Sequence, residues 1–398
     1  MIKGVDLSSL SNIEDLGGKF FYEGKQEDCL KIMKKCDINL IRIRLFNNPF
    51  SEDNESYGAG YSDIDSVIKF ASRVEKEKID WLLDFHYSDF WADPGKQILP
   101  KAWKDYNLEE LIKAVYDFTY ESLNKIKANK LKPAIIAIGN EITNGMLWPY
   151  GHVDNFENLV KLINSGIKAA NKVFPDSKIM IHLDNGGRND LYTHFFDSYF
   201  KLGGLDFDYI GLSYYILWHG EMDKLKANMD DLAIRYKKDM IIAETSYPFS
   251  DVDYKEYEKL SDDKRKGPAA KGDLLLNKPF AISESGQAEY MASLMKLIDE
   301  VKDNRGKGFI YWGGENIPVP GFTWASDKAI EYTHEKGPGG NEWANQALFD
   351  YDGNALQILN TIKKYWICQV KMTDFYHSKA WNKKRNRFQK KSYNMYSD

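Results

Sequence analysis

Two glutamates frame the chemistry that this sequence can support. Glu141 follows Asn140 just beyond the apolar run Ala134–Gly139, and Glu244 closes the run Met240–Glu244. Two carboxylates facing each other across a cleft can divide the roles of proton donor and nucleophile, provided that their surroundings separate their affinities for the proton. That division is what cleavage of an acetal bond needs. The distance between the two groups decides whether configuration is retained or inverted, and a sequence does not give it. The Asn140 amide is suited to bind a substrate hydroxyl. Arg44 is expected to lie opposite Glu244, where a guanidinium would keep the carboxylate ionised. The plain alternative is structural, with Glu141 and Glu244 as ion-pair partners of Arg42, Arg44 or His86.

The elements that must position these residues follow a clear alternation. Strand-like runs fall at Lys3–Leu7, Asn39–Phe46, Asp80–His86, Ala134–Gly139, Lys178–Leu183, Tyr209–Tyr215, Met240–Glu244 and Gly308–Trp312. Helical periodicity falls at Gln26–Lys35, Asp63–Glu77, Leu108–Ala128, Phe156–Val173, Asp190–Tyr199, Met222–Tyr236 and Gln287–Asp303. Apolar strands separated by amphipathic helices argue for a parallel sheet covered by helices. Eight such units in one chain predict an α/β fold, a single (β/α)8 TIM barrel, rather than an open sheet. No glycine-rich phosphate loop follows the first strand, which counts against a dinucleotide-binding fold. The strands also end in polar residues: Arg42 and Arg44, His86 and Asp89, Asn140 and Glu141, Asp184 and Asn185, Tyr215, Glu244, then Trp312 and Glu315. In this fold the C-terminal strand ends build the active site. Long loops are expected from Phe249 to Ser285 and from Glu315 to Asn345.

Composition narrows the class further. Of 398 residues, 43% are hydrophobic and 28% charged, enough for a large core and too apolar for general disorder. The net charge of −5 disfavours a nucleic-acid partner, and no apolar run of membrane-spanning length occurs. Aromatic residues make up 14%, which suits stacking against sugar faces. The cysteines are Cys29, Cys36 and Cys368; the first two are too far apart along one helix to bridge, so three free thiols are expected. Met1-Ile2-Lys3 runs straight into the first strand, giving the expectation of a cytoplasmic protein or of the mature form of a secreted one. Residues 1–367 are expected to form the barrel and 368–398 a poorly ordered basic tail. Within that tail, 378–398 carries seven Lys or Arg against one acid.

Longer motifs carry a family resemblance. The segment Ile138-Gly-Asn-Glu-Ile-Thr-Asn-Gly-Met-Leu-Trp-Pro149 resembles the acid/base signature of the arabinogalactan endo-β-1,4-galactanases, glycoside hydrolase family 53. Asp84-Phe-His-Tyr-Ser-Asp-Phe-Trp-Ala-Asp-Pro-Gly95, Lys178-Ile-Met-Ile-His-Leu-Asp-Asn-Gly186 and Glu244-Thr-Ser-Tyr-Pro248 resemble its third, fifth and seventh strand motifs. Gly286-Gln-Ala288 and Asn345-Gln-Ala-Leu-Phe-Asp350 are similar to its late landmarks. The match runs from about Gly4 to Lys364.

The resemblance implies a clan-A barrel that hydrolyses internal β-1,4-galactosidic bonds with retention. Carried over, Glu141 is the general acid/base and Glu244 the nucleophile, with Asn140 on the 2-hydroxyl beside the cleaved bond. Arg44, His86 and Tyr215 would orient the carboxylates, Trp312 would floor the reacting sugar, and Asp89, Trp91, Trp148, Asp184 and Asn185 would line the groove. The expected partner is β-1,4-linked galactan or galacto-oligosaccharide, bound by a monomer, with no cofactor, nucleic acid or membrane expected. The sequence departs from the family at Trp312-Gly-Gly-Glu315, where Trp-Glu-Pro is usual. It departs again at Ser250-Asp251-Val-Asp253-Tyr, which lacks the glycine turn and histidine of calcium-holding members, so no metal is expected. Trp218, Trp324 and Trp343 are read as loop packing, and His219, His334 and His377 as surface residues. Asp6 and Ser8 are placed against either the sugar or Arg44. From the residues alone, another clan-A glycanase acting on mannan, xylan or glucan, or a non-catalytic carbohydrate-binding barrel, stays open. If the protein is intracellular, the two long loops would shorten the groove for oligosaccharides.

Overall fold

Eight parallel strands close on themselves in the computed structural model, which describes residues 1–254, 267–276, 279–335 and 339–365. They are β1 (Ile2–Asp6), β2 (Leu40–Leu45), β3 (Asp80–Phe85), β4 (Ile135–Ile138), β5 (Lys178–Leu183), β6 (Tyr209–Ser213), β7 (Asp239–Thr245) and β8 (Gly306–Tyr311). Each pairs with its sequence neighbours, and β1 pairs with both β2 and β8. The expected barrel is thus the observed one, strand for strand. The connecting helices are α1 (Cys29–Lys35), α2 (Ile64–Lys76), α3 (Leu108–Ala128), α4 (Phe156–Val173), α5 (Asn189–Lys201), α6 (Met222–Tyr236) and α7 (Glu284–Asp299). Residues 357–365 are again helical.

Local chemistry sets where these helices begin. Asn107 and Glu110 form a reciprocal cap at the start of α3. The helix expected from Gln26 starts instead at Cys29, because the Asp28 carboxylate caps it and Lys25–Glu27 pairs as a short hairpin with Phe20–Tyr22. In the same way α7 starts before Gln287, at Glu284, where Ser283 accepts the Gly286 N–H.

The barrel interior is layered. Leu40, Leu82, Ile135, Ala137, Met180, Ile241, Ala243 and Ile310 form a separate apolar cluster inside the strands. One inward position further along, the residues turn polar: Arg42, Asp84 and His182 are all buried. A second, larger core lies between strands and helices. Cys29 and Cys36 are buried free thiols within it. Cys368, His377 and the 368–398 tail lie outside the described residues, as do 366 and 367 of the expected barrel. No helix among the described residues is long and apolar enough to cross a membrane.

Strict alternation along β7 would send Glu244 outward, since Ile241 and Ala243 already face in. The register shows why it does not. Leu212 pairs with Ile242, but Ser213 pairs with Glu244, so β7 holds one extra residue. The same shift recurs against β8. A β-bulge of this kind re-aims the following side chain, and here it turns Glu244 into the barrel mouth.

Candidate active site

Glu141 leaves β4 through Gly139, whose φ of 86° bends the chain out of the strand. Glu141 itself is left-handed, at φ 47° and ψ 50°. That conformation costs a non-glycine residue about 1–3 kcal/mol and persists only where the surroundings impose it. The strain points a half-buried carboxyl at Glu244. Ligand-type atoms of Glu141, His182 and Glu244 lie within 4.8 Å of one another. This proximity is closer to the separation of about 5–5.5 Å in retaining pairs than to the wider spacing of inverting ones.

Arg42 organises the layer beneath. Its guanidinium donates to Glu244 Oε1 at 2.6 Å, to Asp84 Oδ2 at 2.7 Å and to Asn140 Oδ1 at 2.7 Å, with Asp6 at 3.3 Å. The Tyr215 hydroxyl donates to Glu244 Oε2 at 2.8 Å. Both oxygens of Glu244 are therefore held by donors. Burial pushes Glu244 up from the ordinary carboxylate range, and Arg42 with Tyr215 offsets only part of that rise. No hydrogen bond from a cation to Glu141 is found among the described residues. Burial, reinforced by the charges of Glu244 and Asp184, drives it well above its ordinary value. Of the two carboxyl groups, Glu141 is the one driven further toward the protonated form. Asp84 is buried as well, yet Arg42 and His86 hold it far below the usual range.

A cavity of about 460 Å³ opens over the pair. Of the residues read from the sequence, Glu141, Glu244, Asn140, Trp91, Tyr215 and Trp312 line it. The Asn140 amide gives one N–H to the Ala92 carbonyl at 2.8 Å, leaving its second for the cavity. The structure places the other expected residues differently. Arg44 does not pair with Glu244; Arg42, one inward position deeper on β2, does. The Arg44 guanidinium instead sits 4.1 Å from the centre of the Trp91 ring and donates to Ser9 Oγ and the Ala59 carbonyl. His86 lies behind Trp91, accepting the Ala92 N–H on Nδ1 and facing Asp84 through Nε2 at 3.1 Å. Asp89 is buried, its oxygens taken by the Asn48 and Lys101 N–H groups and the Lys101 ammonium. Trp148 packs edge-on against His152 and donates to the Asn144 carbonyl, outside the cavity lining. Asp184 and Asn185 bond to each other rather than lining it. Asp6 reaches Arg42 at 3.3 Å, and the Ser8 hydroxyl donates to Asp6 and accepts the Arg44 backbone N–H at 3.0 Å, so Ser8 touches Arg44, one of the two expected outcomes. His219 is half-buried rather than on the surface, and burial pushes it down to about 4; His334 is exposed.

Several lining residues were not read as site residues. Trp343 meets Trp312 edge to face at 4.7 Å between ring centres, and Tyr215 at 6.1 Å. Trp324 lines the cavity and accepts the Trp91 indole N–H on its carbonyl. Lys96 bridges Asp93, at 2.6 Å, to Glu335 from the loop after β8. Nothing in the spacing of these loop residues marks them, because long loops bring them in. Arg42 and His182 were legible: each lies two residues before a singled-out side chain on the same strand face.

The close trio of Glu141, His182 and Glu244 is the one three-residue cluster of metal-ligand type found among the described residues. Both His182 nitrogens are hydrogen-bonded and both Glu244 oxygens accept from donors.

Residues 2–362 match the model of the family described as glycosyl hydrolase family 53. The chain is similar to an uncharacterised protein of Niallia circulans, 36% identical over 371 residues, covering 91% of this chain and 93% of that one. It is similar to the endo-β-1,4-galactanase of Bacillus subtilis, 31% identical over 381 residues, covering 91% and 85%. Among solved structures, the GH53 catalytic domain of Ignisphaera aggregans matches with a TM-score of 0.83 at 37% identity, covering 91% of this chain and 95% of that one.

Proposed function

Because the chain belongs to glycosyl hydrolase family 53, we propose that it is a retaining endo-β-1,4-galactanase, with Glu244 as nucleophile and Glu141 as general acid/base. The observation that carries this reading is the unequal treatment of two close carboxyl groups: Glu244 is gripped by Arg42 and Tyr215, and Glu141 is left to burial and repulsion. Similarity to the Bacillus subtilis enzyme supplies the substrate class.

The reaction is a double displacement. A Glu244 oxygen attacks the anomeric carbon as the bond to the departing sugar breaks, and the Glu141 proton passes to the leaving oxygen. Arg42 and Tyr215 keep the attacking carboxylate ionised and aimed. Once Glu244 is esterified its charge is gone, and Glu141 loses its main repulsive neighbour. Its proton affinity then falls, and as carboxylate it takes a proton from water. That water attacks the anomeric carbon and expels Glu244. Positioned acid/base help of this sort contributes roughly 10²–10⁴-fold. Trp91, Trp312 and Trp343 offer indole faces to the apolar side of galactose.

The test is incubation of the purified protein with linear β-1,4-galactan, galactotetraose, mannan and xylan, with products followed by chromatography. Rapid release of short oligomers from galactan is expected. Cleavage of mannan or xylan but not galactan would overturn the substrate reading. Full activity in a Glu244→Gln variant would overturn the nucleophile.

A further inference from the structure

Among the described residues that line the cavity, Lys96 is the one cation, and the protein uses only part of its hydrogen-bonding capacity. Lys96 closes the turn 93–96, in which Asp93 and Lys96 each donate a backbone N–H to the other's carbonyl, at 2.8 and 3.0 Å. Two side-chain amides tie this turn to the chain leaving β4. Gln97 Nε2 donates to the Asn140 carbonyl at 3.0 Å, and Asn144 Nδ2 donates to the Pro94 carbonyl at 2.9 Å. The Lys96 ammonium faces Asp93 Oδ2 at 2.6 Å and donates to Glu335 Oε1. Burial works against its charge, and Asp93 with Glu335 outweighs burial, so the group stays an ammonium. An ammonium carries three hydrogens, and these two carboxylates are its only partners among the described residues. Asp93 is fully engaged, since its Oδ1 accepts the Gly95 and Lys96 N–H groups at 2.8 and 3.1 Å. Glu335 is not, because its Oε2 has no hydrogen bond among the described residues. Glu335 follows the short helix Asp327–Thr333, which is anchored where Tyr332 stacks on Tyr57 and donates to the Leu99 carbonyl. A free N–H and a free carboxylate oxygen therefore stand side by side on the cavity wall.

We propose that Lys96 and Glu335 are a specificity-determining pair that reads the 2,3-diol of a galactose beyond the one that reacts: the ammonium donates to one hydroxyl while Glu335 Oε2 accepts from its neighbour. The proposal rests on the galactan reading. In a 1,4-linked chain the internal sugar has its first and fourth carbons in linkages, so the 2- and 3-hydroxyls are its only vicinal pair. Each hydroxyl both donates and accepts, and a donor set beside an acceptor is the complement of two such groups in a row. An anion is a poorer match, because Asp93, Glu335 and Glu342 line the same wall around the single ammonium. Neither Lys96 nor Glu335 bonds to Glu141 or Glu244 among the described residues, which puts the contact outside the reacting sugar. Trp324 and Trp343 line the same cavity and offer indole faces for the apolar side of that ring. A chain that carries a substituent on either hydroxyl of that sugar is refused, since the substituent takes the place of a hydrogen-bonding partner.

The test is calorimetric binding of galactotetraose, and of analogues lacking one 2- or 3-hydroxyl, to the full chain carrying Glu244→Gln so that bound sugar stays whole. Lys96→Met and Glu335→Met, each added to that parent, should weaken galactotetraose about tenfold, the size of one hydrogen bond to a charged group. The analogue missing the hydroxyl that is read should bind the parent about tenfold more weakly than galactotetraose, and should lose nothing further in the variant lacking its partner. That coupling separates a contact with sugar from a bridge that only holds two loops together. If the variants weaken galactotetraose and every analogue by the same factor, or do not weaken binding at all, the proposal is overturned. Glu335 is a loop position with a quarter of its side chain exposed, so Glu335→Met serves if Lys96→Met does not fold. Action of the wild type on galactan is measured alongside. Wild type that cuts galactan while the pair shows no coupling removes the proposal alone; a protein that neither cuts galactan nor binds galactotetraose removes the galactanase reading and the proposal with it.

Discussion

Glu315 offers the sharpest test of how this barrel handles charge. Its Oε1 accepts the Ser9 N–H at 2.8 Å, while Oε2 is buried without a hydrogen-bond partner. Burial, with the nearby Asp6 charge, pushes it up from 4.5 to about 8. The folded protein therefore holds this proton over a range of pH in which the unfolded chain has released it. Stability must fall as pH rises wherever the folded state binds the extra proton. Each pH step of one is worth about 1.4 kcal/mol, so about 3 kcal/mol is lost between pH 5 and pH 7.5 through this residue alone. Glu315→Gln keeps an oxygen for Ser9 and cannot ionise. Urea midpoints of the two proteins should be close at pH 5. By pH 7.5 the variant should be more stable by about that 3 kcal/mol, with the m-value unchanged. A difference that does not grow with pH would refute the reasoning, and would mean that Arg44 satisfies an ionised Glu315.

Other expectations follow from the contacts of the proposed catalytic pair. Tyr215→Phe removes a charge-assisted hydrogen bond from Glu244, worth about 1.5–3 kcal/mol. The acidic limb of kcat/KM should move to higher pH, and release of the glycosyl-enzyme should slow by about ten- to a hundredfold in burst kinetics; an unchanged acidic limb would show that the contact does not tune the nucleophile. In Glu244→Gln the Glu141 titration should drop to lower pH, because the repelling charge is gone; a titration that stays high would assign the shift to burial alone. Trp343→Ala should raise KM for galactotetraose more than it lowers kcat, since the indole meets Trp312 beside the cavity rather than the reacting carboxyls. Equal loss in kcat and kcat/KM would place Trp343 in transition-state binding instead.

The barrel itself was readable because its strands are near-continuous apolar runs and its helices have clean periodicity; α3, α4 and α6 begin and end where the pattern does. Both glutamates were readable for the same reason, since each closes an apolar run. Their supporting contacts were less so. Arg42 and Arg44 share a strand face, and no one-dimensional pattern says which of two inward arginines sits at the depth of Glu244. Glu244 faces inward only through a bulge that strict alternation does not announce. Asp89 and Trp148 sit inside long motifs, yet loop geometry directs them to Lys101 and His152. The aromatic wall of Trp324 and Trp343 comes from the loop after β8, whose path depends on docking against the other loops. Tyr332 stacks on Tyr57 at 5.1 Å and donates to the Leu99 carbonyl. Contacts so distant in sequence leave no periodic trace.

What separates the two carboxyls proposed as acid/base and nucleophile is a matter of charge arithmetic in one layer. Arg42 is a single buried cation that touches Asp84, Glu244 and Asp6. With Asp84 held ionised by Arg42, the cluster already carries more negative than positive charge once Glu244 is ionised too. A further charge on Glu141, within 4.8 Å of Glu244, would add repulsion on the order of 3 kcal/mol at an effective dielectric of about 20. The charges that act most strongly on Glu141, those of Glu244 and Asp184, are both negative. The cheapest neutral site in the cluster is therefore Glu141, and it stays cheapest only while Glu244 is charged. Esterifying Glu244 removes one negative charge from the layer and with it the reason for Glu141 to keep its proton. The switch from acid to base thus needs no movement of the fold, because the covalent step changes the charge count that set the proton in place.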